Sequence, residues 1–174
     1  MIRAEIIKQA TALLGKKEIK GNQGFYDQQI DQEMRSLGFQ DGYAWCALAA
    51  ELAWTRAYNQ FDSTMIKEIE KYFTAGAQRT YRKFKKSPFE VNQTPEPGDV
   101  VVWKKLSGGR NKGYGHVGIV TSELDDEGYF TTIEGNTNAR GSREGDGWLP
   151  KRRKLKLSGD SGLIVMGFIK PKEV

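Results

Sequence analysis

The stretch Tyr43-Ala44-Trp45-Cys46-Ala47-Leu48-Ala49-Ala50-Glu51-Leu52-Ala53, continuing to Tyr58, decides the fold. It reads as one helix that starts near Tyr43-Ala44. Trp45, Leu48, Ala49 and Leu52 form an apolar stripe at helical spacing. Beside it runs a stripe of small residues: Cys46, Ala49, Ala50, Ala53 and Ala57. Small side chains let a helix pack close against a sheet, so the pattern predicts a helix laid on strands. Cys46 then falls in the first turn, on the edge that faces the interior.

Working outward toward the N-terminus, Ile6, Ile7, Ala10, Leu13 and Leu14 predict a helix over Ile2 to Leu14, closed by Gly15. Gly21-Asn22-Gln23-Gly24 reads as a loop. A second helix is expected from about Tyr26 to Leu37, and a further one near Thr64 to Ala75. After Pro95-Glu96-Pro97-Gly98 the texture changes. Asp99 to Trp103, His116 to Thr121, Tyr129 to Ile133 and Leu163 to Ile169 read as strands. Glu123 to Gly128 is the hairpin loop between the second and third of these. Lys104 to Tyr114, rich in Gly and Lys, is expected to be a mobile rim, and Ala139 to Trp148 a plain loop. Helices first and strands second predict an α+β fold with N-terminal helices on an antiparallel sheet. With no repeat and no clear linker, residues 1–174 are expected to form a single domain.

Composition narrows the function. One cysteine rules out an intramolecular disulfide framework. No apolar run approaches the ~20 residues that a membrane span needs. The opening Met1-Ile2-Arg3-Ala4-Glu5 lacks a basic-then-apolar signal pattern. The expectation is therefore a monomer made in a host cytoplasm and let out to the periplasm or wall by another factor. Lys plus Arg number 27 against 22 Asp plus Glu, for a net charge of +5. That balance suits an anionic partner. Arg82 to Lys86 and Lys151 to Lys154 carry much of the positive charge, and a solvated basic face is the plain alternative. Glu144 and Asp146 do not match a calcium loop, so no metal and no cofactor are expected.

Cysteine attacks as the thiolate, which a helix N-terminus and a nearby imidazole both favour. Cys46 has the first by position. The chain has one histidine, so only His116 can supply the second. An imidazole base needs a partner that fixes its tautomer and ring direction. Centring the hairpin loop near residues 125–126 puts His116 opposite about residue 135, flanked by Glu134 and Asn136. A one-residue change of register brings these two onto the histidine's face, and either can orient the ring. Taken alone, a lone cysteine among small residues is usually inert and a lone histidine structural. Their appearance in this order puts a Cys–His site on a par with the structural reading.

Tyr43-Ala44-Trp45-Cys46-Ala47, Pro97-Gly98-Asp99-Val100-Val101, Gly115-His116-Val117-Gly118-Ile119-Val120 and Ile133-Glu134-Gly135-Asn136 together resemble the CHAP family. These are cysteine, histidine-dependent amidohydrolases/peptidases of peptidoglycan. The opening Leu14 to Ile19 and Gly21-Asn22 are similar to phage-encoded members. The resemblance implies a papain-like fold with Cys46 as nucleophile, His116 as base and then acid, and Glu134 as orienting residue. Asn136 is implied as an accessory polar residue. Tyr43, Trp45 and Tyr114 are expected to contact substrate, with Tyr43 also a candidate contributor to the oxyanion site. Peptidoglycan is the implied substrate, in a phage lysin or antibacterial effector. Two other readings stay open: another papain-like hydrolase or deamidase, and a non-catalytic basic module that binds wall or nucleic acid. Nucleic acid is not the expected partner.

Overall fold

Helices occupy the first half of the chain and strands the second. The structure, a computed structural model, describes residues 1–62, 64–137 and 146–174. The helices are α1 Ile2–Ala12, α2 Gln28–Ser36, α3 Cys46–Tyr58, α4 Thr64–Ile69 and α5 Ala77–Phe84. The strands are β1 Val91–Asn92, β2 Val100–Ser107, β3 Arg110–Val120, β4 Tyr129–Thr137, β5 Gly147–Lys154 and β6 Gly162–Ile169. All strands pair antiparallel in one sheet of order β1-β6-β2-β3-β4-β5. This is the α+β arrangement expected from the sequence, and it is consistent with a papain-like fold. No helix among the described residues is long and apolar enough to cross a membrane.

α3 is the central helix. All its residues except Thr55 and Arg56 are buried. Alanine gives it high helix propensity and a slim profile, so it lies against α1, β3 and β4 at once. Its approach to β4 is close enough to require glycine at position 135. A Cβ there would sit 2.4 Å from the Ala49 Cβ and 2.5 Å from the Trp45 ring. The start of α3 is thereby pressed onto the strand that carries Glu134.

Alternation along the strands divides the core in two. Val100, Val102, Val117, Ile119 and Ile133 face α1 and α3 in the larger cluster. Val101, Trp103, Val120, Phe130, Val165 and Phe168 form a smaller cluster on the other face. At the far end of the fold, buried Asp99 accepts from Arg3 Nη1 at 2.7 Å and Lys170 Nζ at 2.6 Å. Gly98 beside it has φ +92, and a Cβ there would lie 3.0 Å from the Arg3 Cα. The Pro97-Gly98-Asp99 motif is thus a joint between α1, β2 and the C-terminal segment.

Several elements depart from the sequence reading. α3 begins at Cys46, with Trp45 as its N-cap, so Tyr43 and Ala44 precede the helix. α4 ends at Ile69, short of Ala75. Lys104 to Tyr114 is not a rim loop: β2 and β3 continue through it, joined by Gly108 and Gly109 at φ +54 and +73. Positive φ at both turn residues is what a two-residue hairpin requires. His116 consequently lies well inside β3 and not at its start. α5, β1 and β5 are additional elements. Most of the loop expected at Ala139 to Trp148 lies outside the described residues, and Gly147 and Trp148 already belong to β5.

Candidate active site

Trp45, the N-cap of α3, offers no side-chain hydrogen bond to the helix start. The first N–H groups of a helix have no partner within it. Here they surround Cys46, at the positive end of the helix dipole. Cys46 lines a cleft together with Ala44, Gln78, Tyr114, His116 and Asn136.

β3 and β4 bring His116 to that cysteine. Ile119 pairs with Ile133 and Val120 with Thr132. Continued two residues, the same register sets Gly118 opposite Glu134 and His116 diagonal to it, on one face of the sheet. Glycine at 118 makes room, since a Cβ there would lie 2.8 Å from the Glu134 Cγ. His116 Nε2 and Glu134 Oε2 are 2.8 Å apart. Cys46 and His116 line the same cleft, and the cysteine is near enough to act on the imidazole. Its ring stacks on Trp103, with centroids 5.8 Å apart and planes at 22°, so Nε2 and the ring plane are held.

Glu134 is fully buried and held from three sides. Thr132 Oγ1 donates to Oε1 at 2.6 Å and Arg153 Nε donates to the same oxygen at 2.7 Å. Arg153 Nη2 closes the fork on Oε2, and its guanidinium lies over the Trp103 ring. Burial pushes the Glu134 carboxyl up, but hydrogen bonds from Arg153 and then His116 outweigh it and hold the group at about 2. Burial likewise pushes the His116 imidazole down. Hydrogen bonds with Cys46 and Glu134 and the charges of both outweigh that and raise it to about 10. At neutral pH Glu134 is therefore an anion and His116 an imidazolium, and hydrogen bonds join Arg153, Glu134 and His116 in one line beside Cys46.

The other site residues named from the sequence divide. Asn136 is buried, lines the cleft, and sits at φ +52 beside a bulge between Glu134 and Thr137. Its Oδ1 has no hydrogen-bond partner, and Glu134 is the residue bonded to the imidazole. Tyr114 lines the cleft. Trp45 does not: it is fully buried, donates its indole N–H to Glu18 Oε2 at 2.5 Å and packs against Phe25 and Trp148. A ring of that size at a helix N-cap is drawn into the core by its apolar area. Tyr43 is exposed and outside the cleft lining, and its backbone N–H is occupied by the Gln40 carbonyl. That N–H is not free to meet an oxyanion.

Arg153 was hidden within the basic run Lys151 to Lys154. That run forms β5, and its cations are largely engaged. Arg152 pairs with Asp125 and Glu127, and Arg153 with Glu134. The run is thus not an open polyanion-binding face. Gln78 also escaped the sequence reading. It is buried, exchanges amide hydrogen bonds with Asn111 at 2.8 and 2.9 Å, and donates to the Tyr114 carbonyl at 2.9 Å. These bonds fix α5 against the β2–β3 hairpin as the opposite wall of the cleft.

Comparison with protein families bears on this arrangement directly. The CHAP domain family model matches residues 38–136, which takes in Cys46, His116 and Glu134. The chain belongs to the CHAP domain family. Neither the curated proteins nor the solved structures compared give a match to it. Membership makes this CHAP domain a hydrolase of the peptidoglycan amidase or peptidase type. The matched span closes at Asn136, so β5 and its Arg153 lie beyond it.

Proposed function

We propose that this CHAP domain hydrolyses an amide bond of peptidoglycan through a Cys46–His116–Glu134 site. The bond joins either muramic acid to L-alanine or two residues of a stem peptide. The observation that carries this reading is the hydrogen-bonded line from Arg153 through Glu134 to His116, in a cleft shared with Cys46 at an uncapped helix start.

The steps follow from these positions. Cys46 acts as the thiolate, and its Sγ attacks the amide carbonyl carbon. A C–S bond forms, and the negative charge moves to the carbonyl oxygen. The free Cys46 N–H at the start of α3 faces that developing charge. Collapse breaks the C–N bond while His116 gives its proton to the departing amine. A water molecule then attacks the thioester and His116 takes its proton. The acid leaves and the thiolate–imidazolium pair is restored. Glu134 stays ionised throughout and keeps the ring nitrogen toward Cys46 protonatable, while Arg153 and Thr132 hold Glu134 in place. A net charge of +5 suits an anionic wall, in the setting of a lysin or an antibacterial effector.

The test is digestion of purified sacculi followed by mass spectrometry of the soluble products. Fragments with one new amine and one new carboxyl are expected, and their masses identify the bond. Sacculi left intact across a range of wall types would sink the substrate assignment.

A further inference from the structure

Beyond the reacting groups, the cleft has a second, cationic arm. Arg79 and Arg82 on α5 and Lys105 on β2 line the same cleft as Cys46 and His116. The start of α5 opens onto it as well: Gly76 and Ala77 are part of the lining, and the Gly76 N-cap supplies no side-chain bond to the first N–H groups. Several other arginines are paired with carboxylates. Arg3 meets Asp99, Arg35 meets Asp31 and Asp41, Arg56 meets Glu33, and Arg153 meets Glu134. Arg79, Arg82 and Lys105 form no ion pair with any described residue. Three cations without a counter-charge among the described residues, and an uncapped helix start beside them, raise the local potential for an anion.

We infer that this arm is a carboxylate subsite: the substrate is a peptide that presents a free carboxylate to Arg79, Arg82 and Lys105 while its scissile amide lies at Cys46. The guanidinium fork matches a carboxylate in two-point geometry. The Gln78 bonds to Asn111 and Tyr114 hold the wall at a set distance from the nucleophile. The inference rests on the hydrolase reading above and adds a selection rule to it. Stem peptides in which the carboxylate is free are taken, and those in which it is amidated are not.

The test measures binding, so that it stands apart from turnover. Intact Cys46→Ala protein is titrated calorimetrically with two synthetic stem peptides that differ only in one carboxylate converted to its carboxamide. The free acid is expected to bind at least about tenfold tighter, a difference that one charged contact supplies. In a Cys46→Ala protein that also carries Arg79→Gln and Arg82→Gln, the ratio is expected to fall toward one. Arg79→Lys with Arg82→Lys is expected to restore part of it. Both arginines are exposed, so the substitutions leave the core intact. A ratio near one in the parent, or a ratio unmoved by the glutamine pair, overturns the subsite. Glycerol phosphate binding as tightly as the free-acid peptide overturns it too, in favour of a wall-polymer phosphate. Sacculus digestion by the wild type is read separately. If it fails while the ratio holds, the hydrolase reading falls and the subsite stands.

Discussion

At the scale of single residues, the site depends on how Glu134 is held. It is a buried anion with bonds from Arg153, Thr132 and His116. Removing Arg153 takes away a two-point charged contact. Arg153→Met is expected to lower kcat/KM about tenfold to a hundredfold, read in steady-state hydrolysis of solubilised peptidoglycan. The imidazolium sets the pH behaviour. His116 is raised to about 10, so its charged form persists through neutral pH and is lost as pH rises through that value. The alkaline limb of the activity profile is accordingly expected near pH 10. In Glu134→Gln it moves down toward the ordinary imidazole range near 6.5, and a limb unmoved by that substitution would remove Glu134 from its role. Cys46, His116 and Glu134 were all legible in the sequence: the first two each occur once, and strand alternation limits the third to a pair of positions. Arg153 was not. Its basic run reads as solvent-facing, and only β5 pairing of Phe130 with Arg153 brings the guanidinium over the face that carries Glu134.

At the scale of elements, contact between α3 and β4 brings the nucleophile's helix onto the strand that carries Glu134, and glycine permits it. Gly135→Ala would put a methyl into Ala49 and Trp45. It is expected to destabilise the fold by about 1–3 kcal/mol and to cut activity further than the lost folded fraction explains, measured by urea unfolding alongside kinetics. α3 also carries Glu51, buried and pushed up to about 8 by desolvation and then by the nearby Glu70 charge, against Lys83. A raised carboxyl favours the folded state at low pH and loses that contribution as pH climbs from 4.5 through about 8. Glu51→Gln is therefore expected to flatten the fall of Tm over that window, by an amount on the order of a few kcal/mol in stability. α1 and α3 were legible because their apolar spacing is regular, and β2, β4 and β6 because their runs are long and rich in β-branched or aromatic residues. α5 and β5 were not. In α5 the buried positions include Gln78 and Thr80, polar residues satisfied only by tertiary contacts. β5 contains Pro150, which a sequence reading takes as a break. It is tolerated because β5 is an edge strand.

At the scale of the whole molecule, the site is a seam between the helical layer and the sheet, and the joint at Asp99 holds the two layers together. Asp99 is fully buried against Lys170, with Arg3 closing the other side. Truncating Asp99 removes the buried anion that both cations share and leaves them the more exposed Glu96 as counter-charge. Asp99→Ala is expected to cost about 3 kcal/mol or more, read as a lower urea midpoint with an unchanged m-value. The order of helices and strands made the α+β class readable from the chain. The cleft was not readable, because its second wall is α5, clamped to the β2–β3 hairpin by one buried glutamine that no local pattern distinguishes.

The most direct test of the central claim compares the wild type with Cys46→Ala on purified sacculi, with soluble products analysed by mass spectrometry. Fragment release by the wild type and none by the variant is the predicted result. Equal release by both would show that Cys46 is not the nucleophile and would contradict the account.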